Sequence, residues 1–175
     1  MPILRMIAFG LLLTLGGCQY VAIQSTQVSA LLDVFLPDSN AWSDALWAIE
    51  YGGYNTSIQP VTVDSSTIFV NDTDAVSFDG WRITRVSGLN SFTPAWVIQD
   101  SGEQRSFIVN GQVVTTHQCA PWLKGGDELG VRFEQQCVGK KAYTNTILVN
   151  NQGQIINIEQ VVDSSLMVLR LSFNN

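Results

Sequence analysis

Two cysteines, one histidine and a scatter of carboxylates are the residues that could do chemistry in this 175-residue chain. Cys119 and Cys137 form an even pair once Cys18 is set aside, and in an exported chain such a pair reads as a disulfide. Free thiols, or a metal held by His117 and Cys119, are the competing uses. A metal needs three or four ligands, and nothing nearby completes the set. The bond would close a loop of about 19 residues and stabilise the fold by about 3 kcal/mol in the chain-entropy picture. His117, the single imidazole, could serve as a base for a serine, but no Gly-x-Ser-x-Gly elbow accompanies it, and it reads as a lone surface histidine. Asp72, Asp74, Asp79, Asp127, Glu128 and Glu134 could supply a carboxylate pair for glycoside hydrolysis, although solvated turns account for most of them. Asn71-Asp72-Thr73-Asp74 offers oxygens to calcium without EF-hand spacing. The sequence thus predicts no enzyme, no bound metal and no cofactor. Five tryptophans are a richer stock. Core packing is the default for this side chain and is assigned to Trp81 and Trp96. Trp122, beside Pro121 in the disulfide loop, and Trp42 are the candidates for stacking on a ligand such as a sugar ring.

Cys18 has a different fate. Arg5 is followed by the apolar run Met6–Leu15, too short for a bilayer, which takes about 20 apolar residues. The order of basic start, apolar core and small residues is that of a secretory signal. Leu15-Gly16-Gly17-Cys18 resembles the lipobox of bacterial lipoproteins, in which the cysteine is diacylated and cleavage falls before it. Residues 1–17 are then a signal peptide and residues 18–175 the mature chain, with 18–24 as a tether. Two or more acyl chains anchor a protein stably where one does not. Gln19 is not the aspartate that retains enterobacterial-type lipoproteins at the inner membrane. The expected address is the outer membrane, facing the periplasm.

The remaining chain must position these groups. Apolar residues make up 46% of the full 175-residue sequence and charged residues 14%, which argues against disorder. Nine Lys and Arg against fifteen Asp and Glu give a net charge of −6, with no electrostatic footprint for nucleic acid. Val28, Leu31, Leu32 and Phe35 fall on one face of a helix bounded by Pro37. From about residue 45 the pattern is β. Asp79-Gly80 suits a two-residue type I′ turn, placing Phe78 opposite Trp81 and Val76 opposite Ile83. Asn110-Gly111 is a second such turn, and Ala120–Glu128 reads as a loop pinned by the disulfide. The last third reads as a meander with turns at Asn150–Gly153 and Asp163–Ser165, closed by alternating Met167, Leu169, Leu171 and Phe173. About ten to twelve strands fit this spacing. The predicted fold is mainly β, a single domain built as an antiparallel sandwich or partly open barrel with one N-terminal amphipathic helix.

The hairpin Asp74–Leu89 and the tail Asn145–Val149, Gly153–Ile155 and Val168–Phe173, together with Cys18, resemble the GfcB/YjbF family of lipoproteins. That resemblance implies a β-rich outer-membrane lipoprotein supporting capsule or exopolysaccharide secretion, non-enzymatic, with export machinery or a glycan as partner. A carrier holding an acyl chain between sheet and helix is the alternative of a different class, motivated by the apolar helix face beside a sheet.

Overall fold

The computed structural model describes residues 46–173, the Asp127 side chain excepted. The signal peptide, Cys18, the tether, the helix built on Val28, Leu31, Leu32 and Phe35, and Trp42 lie outside the described residues. The chain runs through β1 (Trp47–Tyr51), β2 (Tyr54–Val63), β3 (Ser66–Val70), β4 (Ala75–Phe78), β5 (Ile83–Gly88), β6 (Phe92–Ser101) and β7 (Gln104–Val109). It continues through β8 (Gln112–Cys119), β9 (Leu123–Asp127), β10 (Gly130–Val138), β11 (Ala142–Asn150), β12 (Ile155–Val161) and β13 (Val168–Phe173). No helix occurs among the described residues.

Strands pair antiparallel with their sequence neighbours, except that β8 and β9 lie on the same edge of β10 and so form one stave. The thirteen strands therefore make twelve staves. β13 returns to β1 in a register running from Trp47 opposite Phe173 to Glu50 opposite Arg170. The result is a closed up-and-down barrel, and neither a sandwich nor an open barrel describes it. Closure rests on two segments from opposite ends of the described chain, which no local pattern announces.

The pleat sorts the residues. Trp47, Ile49, Ile58, Phe69, Val76, Phe107, Ile147, Ile158, Leu169 and Leu171 are buried in the core. Trp47 lies edge-on to Phe69, with centroids 4.9 Å apart, and to Phe173, at 5.7 Å. Outward positions include Glu50, Glu159 and Arg170, where Arg170 Nη1 donates to Glu50 at 3.0 Å and its Nε to Glu159 at 2.8 Å. A membrane-spanning barrel has the reverse faces, apolar outside and polar within.

Turn chemistry explains where the sequence reading held and where it slipped. Asn110 (φ 50°) and Gly111 (φ 76°) both adopt positive φ and join Val109 to Gln112, as a type I′ turn requires. The Asp79-Gly80 reading needs correction: Phe78 pairs with Ile83 and Val76 with Val86, across a bulge at Ser77/Phe78. Asp79 causes the difference. Its Oδ1 accepts the amides of Trp81 at 2.9 Å and Arg82 at 2.7 Å, an Asx-type cap that lengthens the connection to four residues. The segment Ala120–Glu128 also departs from the expected loop. Leu123–Asp127 is strand β9, held in line by pairing with Gly130–Glu134 of β10. Gly125 and Gly126 hid it, because glycine carries no strand propensity.

Candidate functional site

The interior is not uniformly apolar. Arg105, His117, Gln135, Asn145 and Gln160 are buried polar residues on five strands, β7, β8, β10, β11 and β12. Each occupies an inward register position, so the alternation that builds the core also aims these groups inside.

Their hydrogen bonds fall into several separate sets. Arg105 donates from Nε and Nη2 to the two oxygens of Asp100 at 2.9 and 3.0 Å, the bidentate geometry that suits guanidinium and carboxylate. Asp100 also sits 3.5 Å from Arg82 Nη1, and Arg82 in turn holds Asp79 at 2.7 Å. Side-chain exposure falls along this relay from 38% at Arg82 to 10% at Asp100 and 1% at Arg105. Across the β7–β8 ladder Arg105 stands opposite His117, whose Nδ1 shares a 2.8 Å hydrogen bond with Tyr143 Oη. Asn145 Nδ2 donates to Gln135 Oε1 at 3.1 Å, and Asn145 Oδ1 accepts the Val161 amide at 3.0 Å. Gln160 reaches across the interior from β12, accepting the Ile83 amide at 3.0 Å and donating to the Trp81 carbonyl at 2.8 Å. β12 and β5 are not neighbours in the ring, so Gln160 is a strut between walls.

The sequence reading of His117 is corrected here: it is buried, because its register faces inward beside Phe107, with ring centroids 4.7 Å apart. A Cβ on Gly139 would lie 2.5 Å from its ring, so the β10–β11 turn closes on the imidazole at a position only glycine can occupy without displacing it. Burial first, and the Arg105 charge second, lower the His117 pKa from its ordinary 6.5. Burial likewise raises Tyr143, to about 12. The folded state thus resists protonating His117 while the unfolded chain takes up the proton normally. Stability is therefore full above pH 6.5, falls as pH drops below it, and levels off below the lowered folded value. Urea melts between pH 6.5 and 5, above most carboxylate titration, should show a slope of at most about 1.4 kcal/mol per pH unit. His117→Gln should abolish that slope.

The Cys119–Cys137 disulfide is present, its Cα atoms 4.0 Å apart. Ala120 N donates to Gln136 O at 2.8 Å, making the cysteines a non-hydrogen-bonded pair, the register at which opposed side chains come closest. Trp122 follows and is half-buried. It packs against Trp81 with centroids 5.8 Å apart, and Trp81 stands edge-on to Phe133 at 5.0 Å. Trp81 precedes Arg82, so this aromatic trio lies at the outer end of the charge relay. Trp96 is half-buried against the core and Phe92.

The carboxylates are dispersed. Asp74 accepts from Tyr54 Oη at 2.8 Å, Asn71 Nδ2 at 3.0 Å and the Leu89 amide at 2.7 Å. Asn71 Oδ1 takes the amides of Thr73 and Asp74, so the oxygens considered for calcium serve the turn itself. Asp163, expected in a turn, is buried and anchors Tyr51 and Ser165. Sequence reasoning missed Asp100, Arg105, Gln135, Asn145 and Gln160 as a group. The available signal was parity: Arg105 shares a face with Phe107, and Asn145 with Ile147 and Val149.

No family model and no curated protein matches the chain. Among solved structures the fold is similar to that of the hypothetical lipoprotein YmcC from Escherichia coli (K12). The TM-score is 0.54 at 11% identity, covering 91% of this chain and 98% of that one.

Proposed function

We infer that this chain is a lipid-anchored, non-enzymatic accessory of capsule or exopolysaccharide secretion, held at the outer membrane and facing the periplasm. The observation carrying the reading is the agreement between the lipobox at Cys18 and a barrel fold shared, over nearly all of both chains, with a protein described as a lipoprotein. The charged outward positions Glu50, Glu159 and Arg170 over an apolar core support a domain in water beside the membrane rather than within it. The export role comes from the resemblance of the Asp74–Leu89 hairpin and the closing meander to the GfcB/YjbF lipoproteins. The non-enzymatic reading is supported by His117, which is buried and bonded to Tyr143 rather than facing a cleft.

Deletion of the gene in its own host, complemented by wild type or Cys18→Ala, tests this directly. Loss of surface and secreted polymer, restored only by the lipidated form, is the expected result. Unchanged polymer removes the export role and leaves the fold standing.

Trp122 is the proposed glycan contact, since its half-buried ring packs against Trp81, which offers two indoles side by side for stacking. Trp122→Ala should weaken binding of the host's purified polymer by about 1–3 kcal/mol, the scale on which aromatic hot-spot side chains contribute. Calorimetry showing equal affinity removes Trp122 from the site. The acyl-carrier alternative placed its ligand between sheet and helix. Its helix lies outside the described residues.

A further inference from the structure

The most exposed large apolar side chain among the described residues is Leu123, at 65%, and Leu129 stands at 60%. They bracket β9, a strand that pairs with β10 alone among the described strands. Gly125 and Gly126 within it are exposed. Glycine has no side chain, so the surface these two present to water is main chain.

The hairpin fixes which backbone groups face away from β10. Glu128-Leu129 joins the two strands, and the closing pair is Asp127 with Gly130. A two-residue connection closes on a hydrogen-bonded pair, after which bonded and non-bonded pairs alternate. Asp127 and Gly125 therefore direct their N–H and C=O groups to β10. Gly126 and Lys124 direct theirs to the outer edge, and an edge of this kind is a template for another strand.

The sequence selects the strand that fits. Two copies pairing antiparallel through those groups can set Lys124 opposite Lys124, Lys124 opposite Gly126, or Gly126 opposite Gly126. The first opposes like charges, and the second leaves Lys124 with no charge to meet. The third sets Lys124 opposite Glu128 and Leu123 opposite Leu129, and symmetry repeats both pairs. Lys124 and Glu128 are exposed and hold no ion pair among the described residues. Strand alternation puts the leucine pairs on one face of the joined strands and the ion pairs on the other.

We propose that Leu123–Leu129 is a dimerisation edge, to which a second copy of this chain adds its own β9 antiparallel about a two-fold axis at Gly126. The contact is isologous, the same segment serving both copies, and its small size places it in the weak class. It does not depend on the export role, so either idea can fail alone.

The test uses residues 18–175 with Cys18→Ser to keep the chain in solution. Sedimentation equilibrium should show a monomer–dimer equilibrium with a Kd between about 10 μM and 1 mM. As the dimer forms, amide exchange should slow at Lys124, Gly126 and Glu128 but not at Gly125, whose N–H already bonds to β10. Lys124→Glu should weaken the dimer at least about tenfold. Adding Glu128→Lys should restore it, because the swap rebuilds the pairs with opposite signs. Gly126→Pro removes the amide at the axis without taking a bond from β10, and it should abolish the dimer while the monomer stays folded. A chain still monomeric at about 1 mM overturns the proposal. So does a swapped variant as weak as Lys124→Glu alone, or a dimer that Gly126→Pro leaves intact. Slow exchange at Lys124 and Gly126 in the monomer also overturns it, by showing that residues 18–45 of the same chain occupy the edge.

Discussion

Replacing Asp100 with alanine should destabilise the barrel by about 3–5 kcal/mol, the range for breaking a buried ion pair by removing one partner. Arg105 cannot turn to solvent, because its side chain is 1% exposed on an inward register of β7. Its charge would stay buried with the carboxylate gone. The nearby Arg82, 3.5 Å from the same carboxylate, would then add repulsion. Asp100→Leu combined with Arg105→Met removes both charges and both desolvation costs. The double variant should recover most of the loss, as apolar replacement of a buried pair often does. Urea denaturation of wild type, both single variants and the double variant closes the cycle. A coupling below about 0.5 kcal/mol, the limit for independent sites, would mean that the pair is effectively solvated.

Removing the disulfide should cost nearly as much. Cys119→Ser with Cys137→Ser lifts the constraint on a loop of about 19 residues, worth about 3 kcal/mol, or about 10 °C in Tm for a domain of this size. The place of the bond makes the loss local as well as global. β8 meets β10 through only two residue pairs, Cys119 with Cys137 and Gln118 with Val138. Beyond them β9 pairs with β10 alone among the described strands. Amide exchange in Leu123–Asp127 should therefore accelerate more than exchange in β1 or β13. A loss below about 1 kcal/mol, or equal acceleration throughout the barrel, would show that the strand pairing holds this seam unaided.

What could be read from the sequence followed from interactions close along the chain. Asn110-Gly111 was legible because its turn is decided by two residues that both tolerate positive φ. The Asp79 turn misled because a side chain, rather than the Asp-Gly dipeptide, set its length. β9 was hidden because Gly125 and Gly126 become a strand only through their partner β10. The closed ring was illegible for a related reason, since it depends on β1 finding β13. The interior polar residues were harder still. Asp100, Arg105, His117, Asn145 and Gln160 arrive one per strand, and each alone resembles a surface residue. Only the fold makes them neighbours, and the parity of Arg105 with Phe107 was their one local trace.

The pairing of the first strand with the last also dictates an order of assembly. Every other seam joins strands adjacent in sequence or, for β8 and β10, strands with only β9 between them, so it can zip as soon as that short stretch exists. The β1–β13 seam joins Trp47 to Phe173 and must wait for the whole intervening chain. A chain crossing a membrane amino end first would spend that interval as an uncovered sheet with two bare edges and its apolar face in water, the state most prone to pairing with the wrong neighbour. The six residues Val168–Phe173 end that exposure, which makes the arrival of the last strand the step at which the sheet first becomes a barrel.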